Sequence, residues 1–272
     1  MSRKSTTRIE KSAASTHRGG AVKGFPRSGC WINLFDPIVG ELVGACDYDC
    51  AMIDMEHSAV SLEATLTMIR AVQLSGAKAF VRAPDKDAVW IGRLMDMGAD
   101  GVMIPMVNSV EEAEALALAS FYAPKGTRGM AAGIVRATGY GVHTEQYLKN
   151  HRKRFRLLIQ IETEQAVNVA AELASIDGID GLFIGPYDLA GSLGNMGEPE
   201  HKVTRAAIRK IQKAVKPSGK PLATLTNPAR NARKLYAEGY DLVFSGSDVG
   251  MLKAAFQSDG LNNREISEKL AK

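Results

Sequence analysis

From about residue 28 onward the chain repeats one pattern: a short apolar run, a polar or glycine break, then a longer stretch with apolar positions three and four apart. The short runs are GCWINL (29–34), CAMIDM (50–55), KAFVRA (78–83), GVMIPMV (101–107), RLLIQIE (156–162), GLFIGP (181–186), PLATLT (221–226) and DLVFSGS (241–247). They are rich in Ile, Val, Leu and Phe and do not alternate with polar residues, which is the signature of strands buried on both faces. Between them, SLEATLTMIRAVQLSG sets Leu62, Leu66, Ile69 and Val72 on one helical face and stops at Gly76. SVEEAEALALASF opens with Ser109 and Glu112 at the spacing of a capping box. Further helices are expected at about 87–97, 163–175, 202–216, 227–238 and 248–257, with Gly98, Gly178 and Gly239 where helices end in a left-handed residue.

Eight such strands, each followed by a helix, predict a single (β/α)8 TIM barrel. A doubly wound open sheet shares the alternation, and the strand count decides for the barrel. One connection breaks the rhythm. Residues 122–142, YAPKGTRGMAAGIVRATGYGV, form a long Gly-rich loop after the fourth strand, of a length that lids and contact surfaces use.

Composition changes this picture little. The 272 residues suit one barrel, and an apolar content of 45% fills a sizeable core. The formal charge of +4 is unevenly placed: residues 1–27 carry seven Lys or Arg against Glu10 alone, which leaves about −2 for the remainder. Residues 1–24, basic and rich in Ser and Thr, read as a disordered tail ahead of a catalytic domain at 25–272. The tail lacks the apolar centre of a secretory signal, while its Arg and Ser content leaves a transit peptide as the other reading. No run approaches the roughly 18 apolar residues of a membrane span. Cys30, Cys46 and Cys50 follow no metal spacing, and an odd count argues against a disulfide framework. Small buried residues in a reducing compartment account for them, so the expected location is cytoplasmic. The basic run HRKRFR (151–156) reads as a solvated helix end rather than a nucleic-acid contact.

Barrel enzymes assemble their sites at the C-terminal ends of the strands. Those ends supply Asp54, Glu56 and His57 after the second strand, Arg82 after the third, Gln160 and Glu162 at the fifth, and Asp188 after the sixth. Ionisable groups ending apolar strands need solvent or partners. Glu162 and Asp188, on neighbouring strands with no lysine beside them, suit a hard cation such as Mg²⁺ or Mn²⁺, or else each caps the helix that follows. Arg82 suits a carboxylate or enolate oxygen, or an internal ion pair with Asp54 or Glu56. His57 is the only one of five histidines at a strand end, placed for proton transfer or for structure, with Asp54 and Glu56 as candidates to orient it or Arg82. Gly185 and Pro186 allow a tight turn whose N–H groups face an anion. No lysine falls at a strand C-terminal end, which argues against Schiff-base chemistry. The run GSLGNMG (191–197) has the wrong spacing for dinucleotide binding, and no P-loop is present.

Taken together, MIDMEHS, FVRAP, GADGVMIPMV, APKGTRG, LLIQIET and GLFIGPYDLAGSLG, in this order and spacing, resemble the metal-dependent (class II) pyruvate aldolases, the HpcH/HpaI aldolases. These include the 4-hydroxy-2-oxoheptanedioate, 2-dehydro-3-deoxyglucarate and 2-keto-3-deoxyrhamnonate aldolases, and the likeness runs from about residue 28 to 250. The resemblance implies reversible cleavage of a 4-hydroxy-2-oxo acid to pyruvate and an aldehyde, through a pyruvate enolate stabilised by Mg²⁺ or Mn²⁺. It implies that Glu162 and Asp188 hold the metal, that Arg82 contacts the keto or enolate oxygen, and that His57 takes part in proton transfer. Gln160, Gly185 and Pro186 match positions lining the pyruvate pocket, and Asp54 and Asp96 match acids of the histidine's proton network. Asp96 lies near the end of the third helix, which runs toward the opposite end of a barrel. It therefore serves only across a subunit contact, or is a solvated acid beside Gly98. The family also forms hexamers built from dimers, so a homo-oligomer is expected, with no nucleic-acid or membrane partner. Met55 stands where the family commonly has Gly, and Tyr187 where it often has Ala; both place bulk beside the site and bear on the aldehyde. Two rivals remain: a lyase or decarboxylase using the same enolate on oxaloacetate or a CoA ester, and a non-catalytic barrel that docks an acidic partner through its tail.

Overall fold

Parallel strands cannot be joined by tight turns, so each apolar run must be followed by a crossover. A computed structural model of the protein, describing residues 24–271, shows eight such units. The strands are β1 (Ser28–Ile32), β2 (Cys50–Asp54), β3 (Lys78–Arg82), β4 (Gly101–Ile104), β5 (Arg156–Ile161), β6 (Gly181–Ile184), β7 (Leu222–Leu225) and β8 (Leu242–Ser247). Each pairs in parallel with the next, and β8 pairs with β1, which closes the barrel. The helices are α1 (Pro37–Ala45), α2 (Leu62–Leu74), α3 (Val89–Asp96), α4 (Val110–Ala119), α5 (Thr144–Arg154), α6 (Glu164–Asn168), α7 (Ala170–Ser175), α8 (Pro186–Ser192), α9 (Lys202–Val215), α10 (Ala232–Ala237) and α11 (Asp248–Leu270). The expected basic tail falls, but for Gly24, outside the described residues.

Successive side chains on a strand point to opposite faces. One set, including Trp31, Met52, Phe80, Met103, Leu158, Phe183 and Phe244, fills the inside of the barrel. The alternate set, including Ile32, Ile53, Val81, Val102, Ile159 and Ile184, packs outward against the helices. The same period of two continues the interior row to Asp54 beyond Met52, to Arg82 beyond Phe80, and to Gln160 and Glu162 beyond Leu158. The β2–β3 register makes Asp54 and Arg82 direct partners. Filling the inside of the barrel requires glycines: a Cβ at Gly101 would stand 1.7 Å from the Phe80 ring and one at Gly29 2.4 Å from the Phe244 ring.

Gly98, Gly178 and Gly239 all take the left-handed conformation expected of them, at φ 83, 95 and 93°. Four features differ from what the sequence pattern predicts. The Gly-rich segment 122–142 follows α4 rather than β4, so it leaves the barrel at its N-terminal end. There Arg136 donates to the Met97 carbonyl and to Gln73, each at 2.8 Å, so the segment is not a lid over the strand C-termini. It leads into α5, which the periodicity does not show; the basic run closes this helix, where cations complement the dipole. The stretch 163–175 is two helices, α6 and α7, that meet at Val169 with φ −111°. The last helix runs to Leu270, and every described residue from Val249 onward is exposed. The cysteines are free thiols, Cys30 and Cys50 buried but Cys46 exposed. Among the described residues no helix is long and apolar enough to cross a membrane.

Candidate active site

Asp54 ends β2 almost wholly buried, which is tolerable because every lone pair finds a donor. Arg82 Nε and Nη2 grip its two oxygens at 2.9 and 2.6 Å, Trp31 Nε1 donates at 3.1 Å and Asn33 Nδ2 at 2.9 Å. The backbone N–H groups of Glu56 and His57 add bonds of 3.1 and 3.3 Å, so the same carboxylate shapes the turn that follows the strand. Burial pushes the Asp54 carboxyl up, but Arg82, Trp31 and the His57 N–H outweigh it and leave it below its ordinary value. The internal ion pair is therefore present. It does not exhaust Arg82. The guanidinium also lies 4.8 Å from the centre of the Trp31 ring, with Nη1 2.8 Å from Glu56 Oε2. Only two of its five N–H bonds are given, both to Asp54; the Glu56 contact is an ion pair without hydrogen-bond alignment, because Glu56 Oε2 has no hydrogen-bond partner among the described residues.

Glu56 is half-buried, and burial pushes its carboxyl up; Arg82 and His57 pull it down, while Asp54 and Asp188 push it further up. The His57 ring stands at the mouth, its side chain 62% exposed, with Nε2 3.9 Å from Glu56 Oε2. Asp54 thus holds the backbone of His57, and Glu56 is the carboxylate nearest its ring.

Two strands on from Arg82, Glu162 follows β5 and is only 2% exposed. Its Oε1 accepts from the Met106 N–H at 2.7 Å, and its Oε2 accepts from Gln160 Nε2. Met106 aims that N–H from a left-handed backbone at φ 54°, a conformation that costs a non-glycine residue about 1 kcal/mol or more. Burial pushes the Glu162 carboxyl up to about 7; repulsion from Asp188 and Glu56 adds to this, and the two N–H donors offset only part. Gly185 leaves the space that this group needs, since a Cβ there would lie 2.9 Å from both Gln160 Nε2 and Glu162 Oε2. Pro186 opens α8 at its first position, where a missing N–H costs nothing, and Asp188 stands exposed in the first turn of that helix. The Gly185 N–H is spent on the Ile161 carbonyl at 3.2 Å. The expected tight turn is the start of a helix, and of its N–H groups that of Gly185 is not free for an anion.

Glu56, Glu162 and Asp188 repel one another across one space, and a hard divalent cation is the species that relieves such repulsion. Gln160 Oε1, buried without a hydrogen-bond partner among the described residues, adds a neutral oxygen beside it. Among the described residues no three His, Cys, Asp or Glu side chains cage an ion unaided. The donor set fits a cation that keeps positions open for water and substrate, as Mg²⁺ and Mn²⁺ do.

Asp96 is not brought to this cluster. It closes α3 and accepts from Arg128 Nη2 at 2.6 Å, below the barrel. Conversely, the sequence pattern does not single out Trp31, Asn33 or Asp248. Asp248 accepts from the Asn33 and Leu34 N–H groups at 3.0 and 2.8 Å and so fixes the turn after β1 that carries Asn33.

Comparison with known proteins gives this arrangement its context. Residues 27–255 match the family described as HpcH/HpaI aldolase/citrate lyase. The hydroxypyruvate/pyruvate aldolase of Chromohalobacter salexigens is 32% identical over 86% of this chain and 92% of its own length. The 5-keto-4-deoxy-D-glucarate aldolase of Shigella dysenteriae is 34% identical over 84% of this chain and 89% of its own. Among solved structures, an HpcH/HpaI aldolase/citrate lyase family protein from Burkholderia cenocepacia superposes with a TM-score of 0.83 at 28% identity, covering 88% of this chain and 95% of that one.

Proposed function

The chain belongs to the HpcH/HpaI aldolase/citrate lyase family, and we propose that it is a divalent-metal-dependent aldolase that reversibly cleaves a 4-hydroxy-2-oxo acid to pyruvate and an aldehyde. The observation that carries this reading is the carboxylate-lined space facing Arg82, with Glu162 held near pKa 7 by burial and by Asp188 and Glu56. Glu162 and Asp188 would hold Mg²⁺ or Mn²⁺, which when bound acts as a Lewis acid on the keto oxygen of the 2-oxo acid.

The remaining work belongs to the side chains. Arg82, fixed by Asp54 and Glu56, offers its uncommitted N–H bonds to the substrate oxygen on which charge develops as the C3–C4 bond breaks. Its orientation is set before substrate arrives, so little reorganisation accompanies the charge. His57 Nε2 is the group placed to take or return the proton of the reacting substrate, with Glu56 beside it. Gln160, Gly185 and Pro186 line the pyruvate pocket, and Gly185 keeps it open. Asp96 joins the proton path only across a contact with a second copy.

Such contacts are supported by the surface. Helix α11 exposes Val249, Leu252 and Phe256 at helical spacing, while Ile38 and Leu42 on α1 stand uncovered, as do Met130, Ile134 and Val142 in the segment below the barrel. We place the protein in a homo-oligomer, a hexamer built from dimers, with residues 25–272 as its catalytic domain. Its free thiols suit a reducing cytoplasm. The test is aldol addition between pyruvate and a panel of aldehydes: turnover should vanish with a chelator and return with Mg²⁺ or Mn²⁺. Full turnover in chelator would contradict the reading.

A further inference from the structure

Beside the proposed site lies a cleft of about 510 Å³, within the range of small-molecule sites. It is walled by the loops that follow β6 and β7, both at the C-terminal ends of their strands and so at the same end as the carboxylate cluster. Tyr187, the neighbour of Asp188, forms one side, and Glu198, Glu200, His201 and Asn227 supply polar groups. No Lys or Arg lines it.

The charges around it can be followed to their partners. Glu200 accepts from Arg230 Nε at 2.9 Å and from Asn227 Nδ2 at 2.9 Å. Arg230 also meets Glu238, which pairs with Arg205 at 3.0 Å, so these two acids and two bases cancel. Glu198 stands outside this network, exposed and without an ion pair among the described residues. His201 Nδ1 accepts the Val203 N–H at 3.4 Å, capping α9, which leaves Nε2 to carry the ring proton and donate. The Asn227 amide is held within its loop, Oδ1 accepting the Ala229 and Arg230 N–H groups at 2.9 Å and Nδ2 donating to Glu200. The cleft thus offers acceptors in its carboxylates, a donor in His201, both in Tyr187, and no counter-charge for an anion. A carboxylate or phosphate entering it would face Glu198 unpaired, a costly arrangement; hydroxyl groups would find partners in Glu198, His201 and Tyr187.

We propose that this cleft holds the aldehyde half of the substrate, and that the aldehyde is uncharged and hydroxylated. The assignment rests on the aldolase reading above and deepens it: the single negative charge of the substrate stays at the pyruvate end, near Arg82. The test compares kcat/KM for addition of pyruvate to D-glyceraldehyde and D-erythrose with that for glyoxylate and succinic semialdehyde. The neutral pair should be favoured by about tenfold or more. Glu198→Lys, which replaces repulsion with attraction, should narrow that preference by about tenfold. The readout is a ratio, so partial loss of folded enzyme does not move it. A wild type that prefers the anionic aldehydes, or a Glu198→Lys enzyme with an unaltered ratio, overturns the assignment. Pyruvate methyl-proton exchange by the wild type separates the two claims: if it proceeds while the preference is reversed, only the cleft assignment falls. If it does not proceed, the aldolase reading falls and the cleft assignment with it.

Discussion

Arg82 and Glu162 have opposite electrostatic consequences. Arg82 stabilises what surrounds it, because Asp54 and Glu56 would be unpaired buried charges without it. Glu162 is the reverse: its buried carboxylate costs stability whenever it is ionised without a cation. Its folded pKa of about 7 lies above the ordinary glutamate value of 4.5. Below the lower value both folded and unfolded chains hold the proton, and the native state keeps its full stability. As pH rises towards 7 the unfolded chain releases the proton first, so stability falls by about 3 kcal/mol across that window. Glu56 is shifted the same way and adds to the fall, while Asp54, shifted down, loses its stabilising effect only in acid. Calorimetry in chelator should show the melting temperature dropping between about pH 5 and 7.5. Glu162→Gln should flatten that drop, and excess Mg²⁺ should reverse it in the wild type.

Among the elements, the junction of β6 with α8 sets the geometry of the carboxylates. A Cβ at position 185 would press at 2.9 Å on the polar ends of the Gln160 and Glu162 side chains, which must shift from their present positions to admit it. Gly185→Ala should weaken Mg²⁺ or Mn²⁺ binding about tenfold by titration calorimetry while the circular-dichroism spectrum stays that of the wild type. Much of this junction is legible in the sequence, because strands buried on both faces announce themselves and a charge at such a strand's end needs a shared polar site. Asp54, Arg82, Gln160 and Glu162 are visible on that ground. Trp31 and Asn33 are not, since their bonds to Asp54 depend on the β1–β2 register, and the Asp248 contact to Asn33 spans 215 positions. The Gly-rich segment reads as a loop at the strand C-termini because only the end of α4 decides where it leaves the barrel. Helix α11 reads as shorter than it is because, with no side chain buried within its own chain, it lacks a full core-facing stripe.

For the whole molecule, that same helix is the clearest sign of assembly. A 23-residue helix with no buried side chain is marginal by itself, so its apolar positions call for cover from another copy. Removing residues 256–272 should lower the mass seen by light scattering to that of a smaller assembly or a single chain. The aldehyde preference hangs on a more basic claim, that this barrel forms a pyruvate enolate at a cation held by Glu162 and Asp188. The most direct measurement is NMR of pyruvate incubated with the protein in D₂O. We predict that the methyl proton signal disappears with Mg²⁺ or Mn²⁺ present and persists with chelator, and that Glu162→Gln slows the exchange by about a hundredfold or more. Exchange at the same rate in chelator, or none with either metal, would contradict the account.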